Sequence, residues 1–141
     1  MAGQLDEAER VIRLSLGIAE ELADERLLAN AHFDMGCLML NKGSPQAEQW
    51  LRRALADWEK LVPQSWWYQE MAARTLSQLG DFLVTAGKPQ EAAETHRRSV
   101  AIWLVLMKNF PLAVGSRVEC AYSYERLGNA LVAAGQAAEA K

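Results

Sequence analysis

Two histidines and two cysteines are the residues of this chain best suited to acid–base, nucleophilic or metal chemistry. His32 and Cys37 lie five residues apart, which is poor spacing for one face of a helix, so no metal site is expected there. Cys37 and Cys120 form no metal-binding or redox spacing. Both His32 and His96 occupy positions at which the surrounding sequence pattern predicts a large buried side chain. Each is therefore predicted to be a core histidine whose polar atoms are satisfied.

Two other patterns resemble chemical sites only superficially. The segments LGDFLVTAG and LGNALVAAG contain paired glycines, but no Gly-Lys-Ser/Thr follows them, so they are not phosphate-binding loops. The acidic residues Asp6, Glu7 and Glu9 are predicted to form a solvated face. The sequence therefore predicts no catalytic residue, no cofactor and no metal, and the chain is not expected to be an enzyme.

Composition and charge exclude several classes of partner. The chain has 141 residues and a net charge of −3 with no basic block, which argues against nucleic acid and an anionic membrane surface. The longest apolar run, residues 100–107, is too short to span a bilayer, which needs about 20 residues. The N-terminus is acidic and amphipathic and does not resemble a signal peptide. We expect a cytoplasmic protein with reduced thiols.

The elements that position these residues are predicted to be helices. Strong helix formers are plentiful, β-branched residues are few, and four prolines punctuate the chain. This composition favours an all-α protein. The predicted helices cover residues 4–23, 26–42, 45–61, 66–86, 89–109 and 113–134, and the first turn of another helix covers 136–141.

A repeated pattern organises these helices. Glycine pairs seven residues apart recur at 36/43, 80/87 and 128/135, and an alanine follows each pair, at 47, 92 and 140. The first glycine of each pair would let a second helix approach closely, and the second would end the helix in a left-handed conformation. Pro45 and Pro89 then suit the first turn of the next helix. The N-terminal segment adds a half copy, in which Gly3, Ala8, Ile12, Ser15 and Leu16 match Gly87, Ala92, His96, Ser99 and Val100.

This pattern resembles the tetratricopeptide repeat. The residues that carry the resemblance are His32, Met35, Gly36, Met39, Gly43, Ala47, Leu51 and Ala54; Leu76, Leu79, Gly80, Leu83, Gly87, Ala92, His96 and Ser99; and Tyr124, Leu127, Gly128, Leu131, Gly135 and Ala140. The glycine spacing of 44 and then 48 residues exceeds the family's repeat of about 34. The chain is thus similar to the long-repeat variety that is appended to bacterial serine/threonine kinases.

The resemblance implies antiparallel helical hairpins stacked into a right-handed superhelix. One domain is expected, with a half repeat at 1–25, repeats at 26–63 and 64–111, and a partial repeat at 112–141. Because the pattern starts and stops within a hairpin, we expect a fragment of a longer array. Its first and last helices should expose apolar faces.

The family also implies a concave groove that binds a peptide. Arg74 and Arg126 could hold a carboxylate in it, or Asp81 and Glu125 could neutralise them, which is the favoured alternative. Phe33 and Cys37 stand where the family's chaperone clamp needs Lys and Asn, so that clamp is not expected. The predicted groove residues are Asn30, Phe33, Asp34, Cys37, Arg74, Ser77, Gln78, Asp81, Tyr122, Glu125, Arg126 and Asn129.

A second surface is predicted around residues 100–107, where the helix is apolar on its whole circumference because of Leu104 and Val105. Either the adjacent loop and the SWWY segment cover it, or it contacts a protein. In the second case Trp66, Trp67 and Trp103 would be the anchors.

The function expected from these observations is that of a scaffold that binds a protein or peptide. One alternative is a structural spacer or self-association segment, with a homodimer through helix 89–109 or through the uncapped ends. Another is a regulatory arm of a larger bacterial signalling enzyme such as a kinase.

Overall fold

The computed structural model describes residues 2–139. Its helices are α1 (Ala2–Leu22), α2 (Glu25–Asn41), α3 (Ala47–Leu61), α4 (Trp66–Thr85), α5 (Pro89–Asn109) and α6 (Val114–Glu139), with a 3₁₀ turn at Val62–Gln64. The predicted all-α class is confirmed, since the described part of the chain contains no strand. None of these helices combines the length and the apolar character needed to cross a membrane.

The helices pack mainly in chain order. Each contacts the helix before and after it, and α4 also touches α2 and α6. Among residues 2–139, the backbones of α1, α3 and α5 do not come into contact with one another. The even-numbered helices are therefore closer together than the odd-numbered ones.

Local signals explain where α2 and α4 begin and end. The Asp24 carboxylate accepts a hydrogen bond from the Leu27 amide at 2.9 Å and caps α2, and the Ser65 hydroxyl caps α4 in the same way. Gly43 and Gly87 have φ of +66° and +78°, as predicted. The residues after them donate backbone hydrogen bonds back to the ends of α2 and α4, so both helices close in the same left-handed turn.

Pro45 and Pro89 differ in their positions. Pro89 is the first residue of α5, as predicted, whereas Pro45 lies in the turn before α3, which begins only at Ala47. The prediction for Pro45 was therefore wrong by two residues. Both prolines still prevent the preceding helix from continuing.

The third glycine pair behaves differently, and the prediction there was wrong. Helix α6 runs through Gly135 to Glu139 without a turn, so residues 136–139 belong to α6 and not to a new helix. The reason is local: Gly135 is followed by Gln-Ala-Ala-Glu, all helix formers, with no proline to stop the helix. The predicted repeat position Ala140 lies outside the described residues.

Two close helix approaches hold the core together. A Cβ on Gly36 would lie 2.6 Å from the Leu51 side chain, and one on Gly80 would lie 2.5 Å from the His96 ring. Only glycine therefore lets α3 and α5 pack at these distances. At Gly128 nothing in the described part of the chain lies within 4 Å of the Cβ position, so no helix packs there.

The outer faces of α1 and α6 carry exposed apolar side chains, as predicted. On α1 these are Val11, Leu14, Ile18 and Leu22. On α6, Tyr124 and Leu131 lie on the outer face. Val114, Val118, Tyr122 and Val132 are also exposed, and Tyr122 lies on the side of the groove residues. Within the described residues no other helix covers these two faces.

Candidate functional site

The even-numbered helices form one face, and most of the predicted groove residues lie on it. Helix α4 is central, because it touches both α2 and α6. Its residues Arg74, Gln78 and Asp81 follow one another at helical spacing and are partly exposed. Two ion pairs link α4 to α6 and make this face polar and rigid.

Arg74 is held by two carboxylates. Its guanidinium lies 2.9 Å from Glu70 Oε1 on α4 and 3.4 Å from Glu119 Oε1 on α6. It also sits over the Trp103 ring, 5.7 Å from the ring centroid. Neutralisation of Arg74 was expected, but Glu70 and Glu119 supply it, and the expected pair with Glu125 on α6 is wrong. With two acids already bound, Arg74 is a poor receptor for a further carboxylate.

Arg126 is neutralised as predicted. Its Nε atom lies 3.4 Å from Asp81 Oδ2, an ion pair between α6 and α4. Burial raises the pKa of Asp81, although the charge of Arg126 opposes this shift. Both arginines of the predicted groove are therefore committed to acids of the protein.

His96 lies beneath this pair and corrects another expectation. Its side chain is fully buried, yet neither ring nitrogen has a hydrogen-bond partner among the described residues. The nearest acid is Asp81, whose Oδ1 is 3.5 Å from Nε2. Burial and the nearby charge of Arg126 lower the pKa of His96 to about 4. The prediction of a core histidine was right, but its polar atoms are not satisfied.

Ser77 does not line the groove, contrary to the prediction. It is buried, and its hydroxyl lies 3.0 Å from that of Ser99 on α5. Ser99 donates to the Ala73 carbonyl at 2.9 Å and lies 3.4 Å from the Ser123 hydroxyl on α6. These three serines tie α4, α5 and α6 together through buried hydrogen bonds. In the sequence, small residues at helical spacing indicate that Ser77, Ser99 and Ser123 can lie between packed helices, but this spacing does not reveal that their hydroxyls meet.

Two acids of the predicted groove remain without a cation. Asp34 on α2 and Glu125 on α6 are exposed, and no cationic side chain described by the structure lies within 4.0 Å of either carboxylate. Desolvation raises the pKa of Asp34. The same face also carries Asn30, Phe33, Gln78 and Cys37, which are partly buried, and Tyr122 and Asn129, which are exposed.

The two thiols are free and poorly suited to nucleophilic chemistry. Burial, together with the nearby Asp34 carboxylate, raises the pKa of Cys37 to about 11. Burial also raises the pKa of Cys120. Both groups are therefore held as neutral thiols near neutral pH.

A small cavity opens beside the groove. It has a volume of about 270 Å³ and is lined by Leu40, Gly43 and Ser44 at the end of α2 and by Asp81, Phe82 and Thr85 on α4. The cavity is therefore lined by the hydroxyls of Ser44 and Thr85, by the Phe82 ring and by the Asp81 carboxylate, which pairs with Arg126.

His32 forms a separate pair, away from the groove residues of α4 and α6. Its Nδ1 lies 2.6 Å from Asp57 Oδ2, and its ring packs at 5.8 Å from that of Trp50. His32 is therefore a satisfied, partly buried histidine, as predicted.

The predicted contact around residues 100–107 is only partly assembled. Trp103 is fully buried and cannot be an anchor, and Trp67 packs edge-on against buried Trp58. Leu104 and Val105 remain 45% and 49% exposed, so the loop and SWWY do not cover them. Trp66 is exposed and contacts Phe110. An apolar cavity of about 310 Å³ lies next to Val105, between α3, α4 and α5.

No cluster of three potential metal ligands occurs in the described part of the chain. Comparisons with protein-family models, with curated proteins and with solved structures find no match for this chain. Its function must therefore be inferred from its own geometry.

Proposed function

We propose that this chain is a tetratricopeptide-type array that binds an extended protein segment along the face of α2, α4 and α6. The observation that carries the proposal is that the backbone of α4 approaches those of α2 and α6, while the backbones of the odd-numbered helices are farther apart and meet only through side chains. A stack of hairpins with this asymmetry curves toward its even helices, and curved repeat arrays bind partners on the concave side. The proposed activity is binding and not catalysis.

The charges of this face favour a basic segment. Arg74 and Arg126 are already paired with Glu70, Glu119 and Asp81. Asp34 and Glu125 have no such partner within the described residues, so the unpaired charge of the groove is negative. Lysine or arginine side chains of a bound segment would supply the missing cations. This proposal replaces the carboxylate ligand that the sequence had left open.

A matched pair of labelled peptides tests the proposal. Both would be extended and equally apolar, and one would carry lysines where the other carries glutamates. Fluorescence anisotropy should show tighter binding of the basic peptide, with an affinity that falls as salt rises. Asp34→Asn and Glu125→Gln should each weaken this binding about two- to fivefold, because each removes one partly solvated charge contact.

The control is Glu21→Gln, an exposed acid on the outer part of α1, which should leave binding unchanged. Equal affinity for the acidic and basic peptides would contradict the charge preference. Binding that no groove variant alters would contradict the groove itself.

A further inference from the structure

The two uncovered apolar faces correspond to surfaces that are buried elsewhere in the same molecule. Aligned by their glycines, α6 repeats α4 with an offset of 48 residues, and α1 repeats α5 with an offset of 84. Helix α3 repeats α5 with an offset of 45, counted from Ala47 and Ala92. The packing of α5 against α3 and α4 is therefore a template for what could cover α6.

The α6 side of this template is preformed. Leu76 and Leu83 of α4 are fully buried, and the equivalent residues of α6 are Tyr124 and Leu131, both exposed. Gly80 receives the His96 ring from α5, whereas its equivalent Gly128 has nothing against it. Helix α6 thus presents the acceptor surface of α4 without the helix that fills it.

The α1 side carries the complementary surface. Val11 and Leu22 are exposed, and their equivalents on α5 are Thr95 and Leu106, both buried. Ile18 is also exposed, and its equivalent Ile102 packs against the core of α3 and α4. The exposed stripe of α1 is therefore the side that α5 turns toward its preceding hairpin.

The ion pairs between α3 and α5 test independently whether α1 and α5 have matching charges at the equivalent positions. Arg52 on α3 bonds Glu91 on α5 at 2.6 Å, and the equivalent positions hold Arg97 on α5 and Glu7 on α1. The equivalent positions thus carry the same two opposite charges as the α3–α5 pair. Arg97 and Glu7 are both exposed, and each is paired with a neighbour on its own helix, Glu94 and Arg10.

A second ion pair between α3 and α5 is replaced by two apolar residues at the equivalent positions. Arg98 on α5 bonds Glu59 on α3 at 2.8 Å. The equivalent positions are Leu14 on α1 and Leu104 on α5, and both leucines are exposed. An acid and a base have been replaced together by two apolar residues, which would meet each other if α1 packed against α5 and α6. This pairing accounts for the exposure of Leu104, which no contact among residues 2–139 explains.

We propose that a second copy of this chain docks its α1 onto the α5–α6 hairpin, as α5 docks onto α3 and α4. The contact is head to tail, so each copy keeps a free acceptor and a free donor, and association continues into a chain of copies. Glu7 faces Arg97 and Leu14 faces Leu104 across the junction. The junction uses none of the groove residues, so it goes beyond the proposed peptide binding and can fail independently of it.

Light scattering after size exclusion tests the proposal on the whole 141-residue chain. The weight-average mass should rise above the monomer mass across about a hundredfold range of concentration, without stopping at a dimer. Leu104→Glu and Leu14→Arg should each weaken association about tenfold or more, because each buries an unpaired charge. The matched control is Leu112→Glu, an exposed leucine outside the junction, which should associate like the original chain.

Mixing the two variants provides the decisive measurement. An equimolar mixture of the Leu104→Glu and Leu14→Arg chains forms two repaired junctions. In one, the unchanged Leu14 meets the unchanged Leu104; in the other, the two introduced charges face each other as Arg98 faces Glu59. The mixture should therefore associate more strongly than either variant alone. Circular dichroism of each variant checks that it folds, so loss of association cannot be ascribed to unfolding.

Three results would overturn the proposal. The first is an original chain that stays monomeric at every concentration. The second is association that neither single variant weakens, which would place the contact elsewhere. The third is a mixture that associates no better than its two components, which would show that the contact is not head to tail between these two faces.

Discussion

Helices α4 and α6 carry the same pattern 48 residues apart, yet they differ in what covers them. Leu83 of α4 is 0% exposed, and the equivalent Leu131 of α6 is 43% exposed. Gly80 lies against His96, whereas Gly128 faces open space. The residues are nearly the same, so the difference comes from the helix that packs against them. In a repeat array the burial of a residue is a property of its neighbour as much as of its type.

The same comparison extends to the ends of the two helices. Gly87 adopts a left-handed conformation and ends α4, whereas Gly135 continues α6. Pro89 follows Gly87 by two residues, and Ala137 occupies the equivalent position after Gly135. The glycine permits a turn, and the proline makes the turn necessary.

Truncating the two equivalent leucines should give the largest contrast. Leu83→Ala should lower the free energy of unfolding by about 2–5 kcal/mol, because it opens a cavity in the core. Leu131→Ala should lower it by only about 0.5 kcal/mol, because the side chain is largely in water. Urea denaturation at a concentration where the chain is monomeric measures both. Equal losses would show that α6 is covered in solution.

Acidification should distinguish the α4–α5 hairpin from the α2–α3 hairpin. His96 has a folded pKa of about 4, below its ordinary value of 6.5, so the unfolded chain binds more protons between these values. Stability should be full above about pH 6.5 and fall as the pH approaches 4, by roughly 2–4 kcal/mol at about 1.4 kcal/mol per pKa unit. The raised pKa of Asp81 acts in the opposite direction near pH 4.

The control comes from the molecule itself. Leu51 occupies the position of His96 in the α2–α3 hairpin and packs against Gly36 with a similarly close approach. His96→Leu should therefore fold and should remove most of the loss of stability between pH 6.5 and 4. Thermal denaturation at a series of pH values measures this. A variant that keeps the full loss would assign the pH dependence to other groups.

Restoring the missing proline should give the smallest effect. Ala137→Pro recreates the Gly-x-Pro spacing that follows α4, so α6 should end near Gly135. The last turn of α6 is solvent-exposed and contributes little to packing, so stability should change by less than about 1 kcal/mol. Hydrogen exchange should show faster exchange of the amides after residue 135. If the amides after residue 135 exchange equally fast in the original chain and in the variant, the last turn was already open before the substitution.

Much of the fold could be predicted because its signals are local. The left-handed glycines, the prolines and the helical periodicity each act within a few positions, and they placed five of the six helices within two residues of their ends. The continuation of α6 was missed although its signal was also local. The glycine pattern predicted an end at residue 134, whereas the helix continues because no proline follows Gly135.

The candidate site was harder to predict because its properties depend on contacts between helices. Periodicity placed Arg74 and Asp81 on one face of α4, but it could not show that Glu70 and Glu119 hold Arg74. The same limit applied to Ser77, which lies at the edge of that face and turns inward to Ser99. The side-chain partners that decide these cases lie 22 or more residues away along the chain, except for Glu70.

The regular placement of Trp58 and Trp103 has a practical consequence. They occupy equivalent positions 45 residues apart on α3 and α5, and both are fully buried. Each hairpin therefore contains its own fluorophore in an apolar environment, with an emission that shifts to longer wavelength when water enters. The chain has five tryptophans, so phenylalanine at positions 50, 66 and 67 and at one of the two buried positions would leave a single indole as the reporter of its own hairpin. The order in which the two hairpins open along the array thus becomes an optical measurement that requires no added label.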